Sequence, residues 1–223
     1  MKKAFSVILA VLFLAVSAMG GLAFASGTHN PHSASSALKE LKNGNQRFVE
    51  NHPTHPNQDK ALRDKLSESG QTPMAAILSC SDSRVPAELL FDQGFGDIFV
   101  IRVAGNVPGE DEMGSIEYAV EHLGVPLVVV LGHTKCGAVS AAVQGADEPG
   151  ALGQLLTRLT DAAKSVESLS AEAKVPAAVK ANVELGVKHL SAKSPVLAKS
   201  VKEGRVKIVG AVYHLEDGRV VFD

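Results

Sequence analysis

Residues 127–137, LVVVLGHTKCG, run from an apolar stretch directly into a polar loop. The five apolar residues Leu127–Leu131 predict a short strand that is buried on both faces, as in a parallel sheet covered by helices. Residues 74–85, MAAILSCSDSRV, repeat this arrangement, with a mostly apolar run before a loop that contains cysteine, aspartate and arginine. The sequence therefore predicts two buried strands that each lead into a loop of reactive side chains.

The residues on either side complete an alternation of strands and helices. Further strands are predicted over Ile98–Val103 and Val206–Tyr213, and Glu216-Asp217-Gly218 predicts a hairpin turn into a last short strand, Val220–Phe222. Helices are predicted over Ala37–Glu50 with a start at Ser36, over Asp59–Ser67, over Gly114–Leu123, and within residues 138–201, where Pro149, Pro176 and Pro195 divide the region. We therefore predict an α/β fold with a mainly parallel central sheet of about four strands, an antiparallel edge strand and flanking helices.

The first 25 residues have the pattern of a secretory signal peptide. Two lysines precede an apolar run, and Ala23-Phe24-Ala25 provides a small-x-small cleavage pattern. An uncleaved anchor is the alternative, because the apolar stretch is close to the length that spans a bilayer. We predict a signal peptide over residues 1–25, a flexible polar leader over residues 26–36, and one folded domain over residues 37–223 in the periplasm or outside the cell.

Charge and hydropathy exclude some classes of partner. The chain has 22 Lys and Arg residues against 24 Asp and Glu residues, and no basic block stands out. Nucleic-acid binding therefore has no electrostatic support. No second apolar run is long enough to span a bilayer, so we expect no membrane attachment after signal cleavage.

The two cysteines, Cys80 and Cys136, allow two interpretations. In an exported protein an even number of cysteines favours a disulfide. If the two buried strands are neighbours, however, Cys80, His133 and Cys136 meet beyond their carboxyl ends. Two sulfurs and one imidazole are a typical zinc donor set, with a fourth position left for water or a carboxylate. A cysteine phosphatase loop is disfavoured, because only three residues separate Cys80 from Arg84.

The pattern Cys80-x-Asp82-x-Arg84, followed by His133-x-x-Cys136, resembles the active-site signature of the β-class carbonic anhydrases. Gln71-Thr72-Pro73, residues 96–102 and residues 115–119 match further family motifs, and the resemblance covers residues 37–223. It implies a zinc-dependent catalytic domain that converts carbon dioxide reversibly to bicarbonate and a proton. The implied Zn²⁺ ligands are Cys80, His133 and Cys136, the implied catalytic pair is Asp82 and Arg84, and the implied substrate-binding residues are Gln71, Phe99, Ala104, Tyr118 and Gly137.

The resemblance also raises the question of an inactive state. In some members of the family the residue that matches Asp82 becomes a fourth zinc ligand. The subgroup with a second bicarbonate pocket has a tryptophan where this chain has Ile77, although Arg102 and Tyr213 match the other two pocket residues. We therefore predict a site that is open to water at neutral pH.

The resemblance further implies a homodimer or homotetramer, in which Gln71, Phe99 and Tyr118 reach the zinc of a partner subunit. Two alternative functions stay open from the sequence. One is hydrolysis of another small linear substrate, such as carbon disulfide, on the same fold. The other is a non-enzymatic exported domain held by a disulfide between Cys80 and Cys136.

Overall fold

A computed structural model describes residues 30–223, so the predicted signal peptide and the first residues of the leader lie outside the described residues. The described chain forms one five-stranded sheet in the order β2-β1-β3-β4-β5. The strands are β1 Ala75–Ser79, β2 Ile98–Arg102, β3 Leu127–His133, β4 Lys207–Tyr213 and β5 Val220–Phe222. Pairings between β1 and β2, β1 and β3, and β3 and β4 are parallel, whereas β4 and β5 pair antiparallel. The predicted fold class is confirmed.

Helices cover both faces of the sheet. They are α1 Ala34–Val49, α2 Lys60–Ser69, α3 Ala87–Leu90, α4 Glu110–His122, α5 Gly137–Val143, α6 Gly150–Thr157, α7 Thr160–Lys164, α8 Ala171–Lys193 and α9 Pro195–Lys202, with a 3-10 turn at Ala104–Asn106. Within residues 30–223, no helix is both long enough and apolar enough to cross a bilayer.

The central strands are apolar throughout because both of their faces are buried. In β3, Val129 and Leu131 pack with Leu41 of α1 on one face of the sheet. Val128 and Val130 pack with residues of α4, α8 and α9 on the other face. Alternate side chains of a strand point to opposite faces, so two covered faces require an unbroken apolar run.

The start of α1 differs from the prediction. The helix begins at Ala34 with Ser33 as its N-cap, three residues before the predicted cap at Ser36. The Ser33 hydroxyl oxygen accepts a hydrogen bond from the Ser36 backbone N–H (3.1 Å), and the Ser36 hydroxyl oxygen accepts one from the Ser33 backbone N–H (2.9 Å). This reciprocal capping box places Ser36 inside the first turn, so the part of the leader predicted as flexible over residues 34–36 is helical.

Pro176 was wrongly predicted to divide two helices. It lies inside α8, whereas Pro149 caps α6 and Pro195 opens α9 as predicted. Pro176 is only the sixth residue of α8. A proline this near the helix start removes one backbone hydrogen bond, and burial of Val179, Val183 and Leu190 farther along α8 offsets that loss.

The order in which strands are added to the sheet reverses between β1 and β3. From β1 it crosses to β2 on one side, and it then returns past β1 to β3 on the other side. Such a switch point leaves a crevice beyond the carboxyl ends of the two adjacent strands. The loop after β1 and the loop after β3 both open into this crevice.

Candidate metal centre

The three predicted ligands meet at the switch point. Cys80 follows β1 directly, His133 is the last residue of β3, and Cys136 is the N-cap of α5. Their donor atoms all lie within 4.8 Å of one another, and all three residues are buried. Donors of a tetrahedral Zn²⁺ site, with bonds of about 2.0–2.3 Å, are separated by roughly 3.5–3.8 Å. The three side chains are therefore close enough to share one ion.

The imidazole of His133 is oriented as a ligand. Its Nδ1 lies 2.9 Å from the carbonyl oxygen of Thr134, which only accepts hydrogen bonds, so Nδ1 carries the proton. The lone pair is then on Nε2, which is buried and has no hydrogen-bond partner. An unpaired polar atom in a protein interior is costly, at about 1–3 kcal/mol. A metal ion held by Nε2 and the two sulfurs would satisfy it, so the residues present fit zinc.

The two thiols have opposite tendencies to ionise. The Cys136 thiol next to it lowers the pKa of Cys80, and the backbone N–H groups of Asp82 (3.4 Å) and Gly105 (3.3 Å) also stabilise the Cys80 thiolate. The pKa of Cys136 is raised, first by its contact with Cys80 and then by burial. Two buried thiolates repel each other unless a cation lies between them. A divalent metal removes this conflict.

The backbone turn at Lys135 brings the donor atoms of His133 and Cys136 close together. Lys135 has a φ of 56°, in the left-handed region that non-glycine residues rarely occupy. Glu216 supports the turn from outside, since its carboxylate accepts a hydrogen bond from the Thr134 hydroxyl (2.9 Å) and pairs with the Lys135 ammonium (3.0 Å). The sequence shows the ligand spacing but not this support from a turn some 80 residues later.

Asp82 and Arg84 form a two-pronged ion pair at the mouth of the site. Arg84 donates from Nε to Oδ1 (2.9 Å) and from Nη2 to Oδ2 (2.7 Å) of Asp82. This guanidinium holds the pKa of Asp82 well below its usual range, although partial burial opposes the shift. Oδ2 of Asp82 lies 3.9 Å from His133 Nε2. The carboxylate is thus ionised, next to the metal position and engaged by Arg84.

The predicted substrate-binding residues separate into two groups. Gly137 follows Cys136 at the start of α5, and Ala104 adjoins Gly105, whose N–H contacts the Cys80 sulfur. Phe99 pairs with Ala76 near the amino end of β1, which places it roughly 13 Å along the strand from Cys80.

Gln71 and Tyr118 also lie away from the three predicted metal ligands. Gln71 is exposed and precedes β1, and the Tyr118 ring lies 6.3 Å from the Phe99 ring. One chain by itself therefore does not bring Gln71, Phe99 and Tyr118 to its own metal centre.

The three positions that correspond to a second bicarbonate pocket, Ile77, Arg102 and Tyr213, have other contacts here. Ile77 is fully buried in the same core cluster as Tyr213. Arg102, at the end of β2, donates from Nε to the carbonyl oxygen of Cys80 (3.0 Å) and from Nη2 to that of Asp82 (2.6 Å). Neither contact was predicted, because a residue 20 positions away gives no local signal for it.

Comparison with known proteins is consistent with this geometry. The sequence profile of the family described as carbonic anhydrase matches residues 75–220. A carbonic anhydrase of Mycolicibacterium smegmatis is 43% identical over 188 residues, which cover 82% of this chain and 90% of that protein. Carbonic anhydrase 2 of Mycobacterium tuberculosis is 42% identical, with 83% and 90% covered.

Solved structures show the same fold. The β-carbonic anhydrase CafA of Aspergillus fumigatus superposes with a TM-score of 0.66 at 32% identity and covers 85% of this chain and 89% of its own. A tetrameric β-carbonic anhydrase from Sordaria macrospora gives 0.66 at 26% identity, covering 84% and 95%. This chain belongs to the β-class carbonic anhydrase family and is an enzyme of that class. Both cysteines are free in the structure, without the disulfide of the non-enzymatic alternative.

The site predicts one bound zinc ion per chain and two thiols that become titratable after metal removal and denaturation. His133→Ala deletes the nitrogen donor, and we expect it to abolish stoichiometric zinc binding. His189→Ala, a histidine of α8 outside the donor set, should retain the full zinc content. Elemental analysis and thiol titration measure both quantities. Protein with neither zinc nor free thiols would show that the donor set is wrong.

Proposed function

We propose that this chain catalyses the zinc-dependent, reversible hydration of carbon dioxide to bicarbonate and a proton. The observation that carries the proposal is the buried, unpaired Nε2 of His133, which faces two thiols at the ends of neighbouring strands. Cys80, His133 and Cys136 would hold the ion. When bound, Zn²⁺ supplies a Lewis acid that makes water nucleophilic enough to attack carbon dioxide near neutral pH.

Asp82 and Arg84 orient the reacting water in this proposal. The depressed pKa of Asp82 keeps its carboxylate an acceptor at neutral pH, so it takes a hydrogen bond from the water and sets its direction. Arg84 occupies both carboxylate oxygens and thereby holds Asp82 away from the metal position. The site open to water at neutral pH remains a prediction, and this pairing supports it.

Asp82→Asn tests the role of the carboxylate. The amide keeps the size of the side chain but replaces one acceptor oxygen with an NH₂ donor. We therefore expect kcat for carbon dioxide hydration to fall about a hundredfold. Zinc content should be unchanged, because Asp82 is outside the donor set. Stopped-flow hydration assays measure kcat, and Asp147→Asn, on an exposed loop, is the matched control.

Two results would contradict the proposal. Full hydration activity in Asp82→Asn would remove the assigned role of the carboxylate. The second result is zinc-loaded wild-type protein that hydrolyses carbon disulfide but does not hydrate carbon dioxide at about pH 8.5. It would show that the substrate is another linear molecule at the same metal site.

We further propose that the working site is shared between two subunits of a homodimer, or of a homotetramer built from it. Gln71, Phe99 and Tyr118 lie away from the metal centre of their own chain, and Tyr118 exposes 45% of its surface. Strand β2 is an edge strand, with unpaired backbone groups available to a second chain. The two β-carbonic anhydrases of Sordaria macrospora, which share this fold, are tetrameric.

Complementation between two inactive variants tests the shared site. If Gln71 serves the partner's zinc, co-expression of Gln71→Ala and Cys80→Ser forms mixed dimers with one intact site. Random pairing then recovers about one quarter of wild-type activity, because half of the dimers are mixed and each has one working site. Each variant expressed alone is the control. No recovery, or a monomer in sedimentation analysis of active enzyme, would contradict the shared site.

We propose that residues 1–25 are removed on export to the periplasm or the exterior. The support is the basic start, the apolar run and the pattern Ala23-Phe24-Ala25. The mature chain should begin at Ser26, as intact mass and N-terminal sequencing of protein from separated cell fractions would show. A chain that keeps Lys2 and Lys3 and sediments with membranes would instead indicate an anchor.

A further inference from the structure

We propose that Arg102 is a positioning residue, which holds the loop that carries both the first zinc ligand and the catalytic carboxylate. The inference rests on the proposed function, because it assigns Arg102 a part in the same reaction. Arg102 contacts neither the metal position nor the reacting water in this assignment. It acts through the backbone of Cys80 and Asp82.

The contacts connect one guanidinium to two carbonyl groups of the same loop. Nε of Arg102 donates to the Cys80 carbonyl oxygen at 3.0 Å, and Nη2 donates to the Asp82 carbonyl oxygen at 2.6 Å. Both are hydrogen bonds from a charged donor, which are shorter and stronger than those between neutral groups. The planar guanidinium therefore fixes the spacing and the direction of the peptide group after Cys80 and the peptide group after Asp82.

The backbone at Arg102 is itself held by strand pairing. Arg102 ends β2 directly opposite Ser79, the last residue of β1. The pairing continues beyond both strand ends, since the Val103 N–H donates to the Ser79 carbonyl (3.0 Å) and the Ser81 N–H donates to the Val103 carbonyl (3.3 Å). Arg102 thus reaches the loop from a backbone that is already tied to it.

Two functional side chains depend on this segment. The sulfur of Cys80 must face His133 and Cys136, and the carboxylate of Asp82 must meet Arg84 next to the metal position. Arg84 contacts the side-chain carboxylate of Asp82, whereas Arg102 contacts the main-chain carbonyl of Asp82. A released loop can rotate the sulfur and the carboxylate together, so loss of Arg102 should affect metal retention and turnover at the same time.

The fork, rather than the positive charge, is the property that this role requires. Arginine presents several N–H groups in a fixed plane, whereas the lysine ammonium is a compact charge at the end of a flexible chain. Arg102→Lys keeps the charge and loses the fork, and Arg102→Gln loses both. Arg205→Gln is the matched control, because Arg205 also makes two guanidinium contacts, with Glu203 and Glu121, but outside the metal centre.

The experiment compares wild type with these three variants in the full mature chain. Three quantities are measured: the rate at which a chelator removes zinc, the visible spectrum after replacement of zinc by Co²⁺, and kcat and KM for carbon dioxide hydration. For both Arg102 variants we expect zinc release about tenfold faster and kcat about tenfold lower, with KM nearly unchanged. The Co²⁺ spectrum should also change, and Arg205→Gln should match wild type.

Three outcomes would overturn the inference. Wild-type zinc release and spectrum in Arg102→Lys would mean that charge alone suffices. A raised KM, with zinc release and the Co²⁺ spectrum unchanged, would make Arg102 a substrate-binding residue instead. An equal effect in Arg205→Gln would indicate general destabilisation.

The metal readouts separate this proposal from the proposed function. If the wild type binds metal but does not hydrate carbon dioxide, the proposed reaction is wrong. Zinc release and the Co²⁺ spectrum still decide the role of Arg102. Arg102→Lys is the milder change, so it supplies these readouts if Arg102→Gln does not fold.

Discussion

Parallel pairing between β1 and β3 is the constraint on which the candidate metal centre depends. Parallel strands end at the same edge of a sheet, so the loops after Ser79 and His133 begin side by side. Every ligand lies within a few residues of these two ends. The apolar runs of both strands serve the same purpose, because their burial on two faces keeps the ends in register.

The chemistry of the site follows from burying polar groups that lack protein partners. The structure leaves His133 Nε2 unpaired and places two thiols in contact, where a negative charge on one sulfur opposes ionisation of the other. A divalent cation would satisfy all three groups together. The Asp82 carboxylate, by contrast, already has a protein partner, because Arg84 compensates its charge. The donor set therefore favours metal binding, and the neighbouring carboxylate is the group that we propose orients water.

Hydrogen bonds from distant residues hold the two site loops. Arg102 of β2 holds the first loop by its carbonyl groups, and Glu216, in the turn between β4 and β5, holds the second through Thr134 and Lys135. Arg84 connects the loops, with Nη2 lying 3.4 Å from the Lys135 carbonyl oxygen. Metal affinity and activity in such sites depend on supporting contacts of this kind as well as on the ligands.

The sequence by itself determined the buried strands and the fold class, because apolar runs are local properties of a chain, and its motifs predicted the three donor residues that the structure brings together. It misjudged Ser36 and Pro176, where a capping box and the buried face of a long helix outweighed local preference. Only the tertiary structure decided that Arg102 reaches Cys80 and Asp82, and that Glu216 supports the loop of Thr134 and Lys135. These relations depend on strand order and register, which join residues far apart in sequence and leave no periodic signal in it.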